Sequence, residues 1–331
     1  MQRPKTRARR TRQILWVSPS AWKTGVRSAS ATAWSAPALT AQQRRATIQA
    51  EADGALRATI IGPAARPILE FCRPRLFISP VHLFALSLVA GVFAALFLMG
   101  GGSHPLLRLW AGIFLFGAAA LSVCGGELAA SRRQAPGTAW STTTIRVVQG
   151  GIAAVVVFFA LAGATRAAAV IDGSFWIWLV GIAAMASTGL HALSFDAART
   201  EYVIGAGGGA IESRETLLEL SIRAHEALLR GDSLRADFWR YYAKLRRMQQ
   251  SLVSRAPQGS ADAFWRLNRR RMVAWTVLCG DAQLFMIAVA AVVSTFWPDA
   301  LVAALWLSAA AGNALLGILL LIGWKNAKSR G

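Results

Sequence analysis

An all-α integral membrane bundle of six transmembrane helices is the fold class the chain predicts, and three observations carry it. Of its 331 residues 55% are hydrophobic and the mean hydropathy is +0.42, a level that a soluble domain seldom reaches because its surface must carry more charge. Charge-free runs recur that are long enough to cross a hydrocarbon core of roughly 30 Å, which takes about 20 helical residues. Finally, 34 of the 36 Lys and Arg fall in alternate connecting segments, leaving Arg108 and Arg166 as the exceptions. By the positive-inside rule, that asymmetry puts both termini in the cytoplasm of what reads as a bacterial inner membrane.

Residues 1–67 read as a basic, largely disordered or membrane-surface segment with no acid before Glu51. A helix is predicted over 41–62, with Pro63 and Pro67 of "GPAARP" expected to stop it. The six-helix domain occupies 68–324 and a basic tail 325–331. Its spans run over 80–99, 109–124, 147–165, 174–195, 273–296 and 301–322. Without the dyad alternation of a barrel, and with backbone groups that lipid cannot satisfy, all six are helices. "GGGSHP" joins the first two as a hairpin and "WPDA" joins the last two. Trp110, Trp176, Trp178 and Trp297 fall at one set of ends and Trp140, Trp275 and Trp324 at the other, as headgroup-level rings do.

Between spans four and five lies a helical cytoplasmic insert, 196–272. Its second half carries Leu234, Phe238, Tyr241, Leu245, Met248 and Leu252 at three- or four-residue spacing, opposite Arg240, Lys244 and Arg247. Such a stripe packs on its own protein, or else meets a membrane surface or a second copy. "GAGGGA" at 205–210 follows no strand, so it is a hinge and no phosphate cradle.

The net charge of +20 is explained by topology, and no stacking or groove-reading motif accompanies it, so no nucleic-acid partner is expected. Cys72, Cys124 and Cys279 lack metal-ligand spacing, and neither a disulfide nor a metal site is expected of them. His82, His104, His191 and His225 form no triad.

The junction between spans two and three, "CGGELAASRRQAPGTAWSTTTIR", is polar yet holds a single carboxylate, Glu127. With six helices and cytoplasmic termini, it resembles the CDP-alcohol phosphotransferase family, whose signature is DGxxAR, eight residues, then GxxxDxxxD. "RPRLFISPVHLFALSLVAG", "LHALSFDAARTEY" and "FWRLNRRRMVAW" add likenesses, so that the resemblance spans about 68–324. It implies two divalent metals held by aspartates, which position a CDP-linked lipid while an acceptor alcohol attacks. Hard cations a few ångströms apart require several clustered carboxylates. Laid on this chain, the signature puts Gly125 at the first aspartate, Gly126 at the glycine, and Ala129 and Ala130 at the alanine and arginine. Ala139 takes the second glycine, Thr143 and Val147 the last two aspartates, and Ser122 a further aspartate three residues before the motif. All four expected acids are replaced.

The resemblance therefore implies a degenerate member, inactive by the two-metal route, with a lipid-binding or scaffolding role and a homodimeric form. No cofactor is expected unless Mg²⁺ or Mn²⁺ serves a surviving activity. Membrane lipids are the expected partners, a CDP-linked or anionic phospholipid among them. The alternatives are an active transferase (CDP-lipid plus alcohol giving phospholipid plus CMP) that uses other acids, and a small six-helix transporter. Candidate substrate contacts are Arg132 and Arg133, by bidentate recognition of a lipid phosphate, with Glu127. Asp281 within the fifth span and Asp196 at the mouth of the fourth are the other candidates, against the plainer readings of snorkelling and ion pairing.

Overall fold

The computed structural model describes residues 40–54, 56–75, 77–132, 142–208, 217–252 and 260–328. Expectations for the first 39 residues, and for Arg133, Ala139 and Trp140, lie outside the described residues.

Among the described residues there are helices and turns and no strand. Helix α1 (Ala41–Asp53) begins at a capping box in which Gln43 N–H donates to Thr40 Oγ1 at 3.2 Å and Thr40 N–H to Gln43 Oε1 at 3.0 Å. It ends at Gly54, whose φ of +95° is the left-handed region that glycine alone enters cheaply. A wide turn, Arg57–Ile61, then leads directly into α2 (Gly62–Cys72). The expected proline stop is thus displaced: Pro63 sits in the first turn of α2, where its missing N–H has no partner to lose, and Pro67 removes a single ladder bond. Gly54 makes the break instead.

Helix α3 (Pro80–Gly100) starts at Ser79, with Pro80 in its first turn and His82 Nδ1 accepting from Ser79 N–H. After a tight hairpin comes α4 (Pro105–Arg132), then α5 (Thr142–Asp172) and α6 (Trp176–Val203). Beyond α6 a wide turn, Ile204–Gly208, contains Gly207 at φ +83°, consistent with the expected hinge. Helices α7 (Leu217–Leu229) and α8 (Ser233–Leu252) form a hairpin around Gly231. Helix α9 (Ala261–Trp275), α10 (Gly280–Val293), α11 (Ala300–Trp306) and α12 (Gly312–Lys328) complete the chain, the last two joined by a wide turn, Leu307–Ala311.

Five of these segments are long and apolar enough to cross a membrane: Pro80–Gly100, Pro105–Arg132, Val148–Asp172, Trp176–Gly207 and Ala300–Ile322. The expected fifth span is different in kind. Ala261–Leu278 and Gly280–Val293 pass the same test only together, and they meet at a 50° bend. Cys279 causes it: its backbone is extended (φ −70°, ψ 154°) and its sulfur accepts from Ala282 N–H at 3.4 Å, so a new helix starts there. Asp281 consequently lies in the first turn of α10, where the helix dipole favours a carboxylate, and not in the middle of a continuous span.

Two apolar clusters hold the molecule. One runs through α3, α4, α5, α10 and α11 and is rich in alanine, with Leu98, Leu115, Leu161, Ile287 and Leu301 at its centre. Small residues let the helices close: a methyl on Gly112 would lie 2.7 Å from the Ala288 carbonyl oxygen. The other cluster joins α1, α6, α9 and α12 through Ile48, Tyr202, Phe264, Met272, Trp275 and Leu316. It lies at the end of the bundle that also carries α2 and the end of α4, which we call the basic end; the α3–α4 turn marks the hairpin end. On the stripe of α8, Leu234, Phe238, Tyr241 and Met248 are exposed and Leu245 is half-buried.

Candidate functional site at the basic end

The site grows from the acidic run at the end of α1. Glu51 is 5% exposed, and its carboxylate accepts from Tyr202 Oη at 2.5 Å and Trp265 Nε1 at 2.9 Å, while Arg269 Nε pairs with it at 2.5 Å. One carboxylate therefore fastens α1 to α6 and α9. Asp53, two residues on, pairs with Arg199 of α6 at 2.6 Å. Gly54 then turns the chain against Thr276, whose Cβ would stand 3.2 Å from an added methyl. That close approach brings Arg57 beside the bend at Cys279.

Arg57 is the centre of the cluster. Its Nη2 lies 3.6 Å from Glu127 Oε1 at the end of α4, and Asp53 and Asp281 also act on it. Burial alone would make its guanidinium easier to deprotonate, but the carboxylates of Asp53, Asp281 and Glu127 more than reverse this and hold it above its ordinary value. Acids from α1, α4 and α10 thus converge, and what they converge on is a resident cation. Among the described residues, no three His, Cys, Asp or Glu are grouped so as to hold a metal ion.

Five of the positions on which the signature was laid, Ser122, Gly125, Gly126, Ala129 and Ala130, lie on α4, the helix that carries Glu127. At Gly125 an added Cβ would come within 2.7 Å of the Phe84 ring, and at Gly126 within 2.8 Å of Gln149 Oε1. The space a carboxylate at 125 would need is filled by an aromatic ring. Ser122 and Ala129 are buried and Ala130 is exposed. Thr143 and Val147 are on α5, and Ala139 lies outside the described residues.

The other candidates are distributed as follows. Arg132 donates to the carbonyl oxygens of Ile78 at 2.6 Å and Arg75 at 2.9 Å, which ties the end of α4 to the link before α3. Asp196 pairs with Arg246 of α8 at 3.5 Å, joining the helical hairpin to α6. Sequence reasoning missed Glu51, Asp53 and Arg57. Their only signal was that the first acids of the chain follow a long acid-free stretch.

It also missed a polar chain inside the bundle. His191 Nε2 meets Asn313 Oδ1 at 3.1 Å, Gln283 Nε2 meets His191 Nδ1 at 3.2 Å, and Asn313 Nδ2 donates to Ser187 Oγ at 2.7 Å. These contacts join α6, α10 and α12 in a region where lipid offers no alternative partner. Gly312 allows the approach, because a methyl there would lie 2.5 Å from His191 Cε1.

Among the described residues, five long apolar helices, or six if the bent pair is one span, fit a membrane bundle. No family model, curated protein or solved structure matches the chain.

Proposed function

We propose that the chain is a bundle of the CDP-alcohol phosphotransferase type that does not perform two-metal phosphoryl transfer and serves as a lipid-binding or scaffolding component of the membrane, with the basic end cytoplasmic. The observation that carries this reading is the filled motif face: Phe84 covers Gly125 and Gln149 covers Gly126, where the resemblance calls for a carboxylate and open space. Arg57 adds to it by neutralising Glu127, the one acid of the motif region. A lipid role is supported by α2 and the link after it. Phe71 and Phe77 are exposed there beside Arg66, Arg73 and Arg75, with the Arg75 guanidinium 3.5 Å from the Phe71 ring centre, an aromatic and basic edge suited to anionic headgroups.

The test uses purified full-length protein with Mg²⁺ or Mn²⁺, labelled CDP-diacylglycerol and a panel of alcohols. No CMP is expected, and metal-dependent CMP release would overturn the reading. One observation favours a second reading, an active transferase using acids outside the motif: Asp53, Glu127 and Asp281 do converge, on Arg57. In that case CMP release is lost in both Glu127→Gln and Asp281→Asn.

A further inference from the structure

The hairpin end of the bundle holds a charge that packing seals in. Arg108 lies in the first turn of α4 and is 4% exposed. Its stem runs back over the α3–α4 turn, where a methyl on Gly101 would meet Arg108 Cγ at 2.6 Å. Nε is shut off from solvent without an acceptor. The carboxylates of this end, Asp172 and Asp299, are exposed and form no ion pair with it.

A second polar atom is left over at the same level. Helices α4 and α10 run antiparallel and touch where Gly112 meets Val292 and the Ala288 carbonyl. One turn further toward the hairpin end α4 carries Arg108, and Thr295, two residues past the end of α10, also has its Oγ1 buried without a partner.

An ion taken out of water without a counter-charge costs several kcal/mol. Here the cost is aggravated, because a cation in the first turn of the 28-residue helix α4 faces the positive end of the helix dipole. Each of these terms changes sign for an anion placed between the guanidinium, the hydroxyl and the helix start. The fork of Arg suits a planar or tetrahedral oxyanion by paired N–H donors.

We propose that Arg108, Thr295 and the first turn of α4 form a binding site for a phosphate-type oxyanion at the hairpin end, supplied either as the headgroup of an anionic lipid in that leaflet or as free phosphate. The site lies at the opposite end from the Arg57 cluster and does not depend on the transferase question.

The experiment is thermal unfolding of the full chain in maltoside micelles, in two arms. One titrates inorganic phosphate against chloride at matched ionic strength; the other adds phosphatidylglycerol against diacylglycerol. At a hundred times Kd the midpoint is expected to rise by about 5 °C in at least one arm, and the arm that responds identifies the source. Arg108→Gln abolishes the rise, Thr295→Val weakens it, and Arg108→Lys keeps part of it. Without added anion, Arg108→Gln unfolds at or above the wild-type midpoint, because the uncompensated charge is gone. The proposal is overturned if neither arm gives a rise that depends on Arg108, or if Arg108→Gln without anion is less stable than wild type.

Discussion

Glu51 concentrates more partners on one side chain than any catalytic candidate does: a phenol, an indole N–H and a guanidinium, all within 2.9 Å of its carboxylate. Removing the acceptor leaves three donors unpaired, of which Tyr202 and Trp265 are shielded from water, so Glu51→Ala is expected to destabilise the fold by about 2–3 kcal/mol. Tyr202→Phe removes one donor and leaves the carboxylate satisfied by two others, for a loss of about 1 kcal/mol. Thermal unfolding ranks the two, and limited proteolysis should show early cleavage around residues 40–56 in Glu51→Ala only. Gly125 tests the motif question at the same scale. Gly125→Asp restores the family's acid in name, but its Cβ meets the Phe84 ring at 2.7 Å, and a loss of about 2 kcal/mol is expected. Phe84→Ala in the same chain should recover part of that loss, a coupling that a double-mutant cycle measures directly; strictly additive effects would mean that the ring is not what fills the site.

The elements that build the site are two breaks in helices, one at Gly54 and one at Cys279. Gly54 ends α1 with a positive φ and lies against Thr276, while Cys279 separates the charged helix α9 from the apolar α10 at a 50° bend. Because the two breaks touch, Arg57, Asp53 and Asp281 are delivered to one place. Gly54→Ala forces a side chain into the left-handed region, at about 1–2 kcal/mol, and also presses on Thr276. It should lower the unfolding midpoint more than Gly231→Ala, which has φ +75° as well but open space around it. Element identity was largely readable in the sequence: span positions came from runs of apolar residues, which length and hydropathy alone specify. The breaks were not. Pro63 and Pro67 looked like the stop and Gly54 did not, because a proline's local penalty is visible in sequence, whereas its relief in a first turn depends on where the helix starts.

For the whole molecule, the charge asymmetry makes a topological prediction. Single cysteines at Ser103 in the α3–α4 turn and at Arg73 after α2 should react with an impermeant maleimide from opposite sides, Ser103→Cys on intact cells and Arg73→Cys only after permeabilisation. The native thiols Cys72, Cys124 and Cys279 are buried and give little background. Labelling of both from one side would discard the six-span arrangement. The sequence by itself determined the helical, membrane-type character and the absence of aspartates from the positions on which the signature was laid, because each follows from composition along the chain. Only the tertiary structure decided which acids meet. Asp53, Glu127 and Asp281 are far apart in sequence, and their meeting at Arg57 depends on distances of a few ångströms that helix packing sets. The same holds for Arg108: an isolated arginine near a helix start reads as ordinary until packing shows it 4% exposed, with its Nε left without an acceptor.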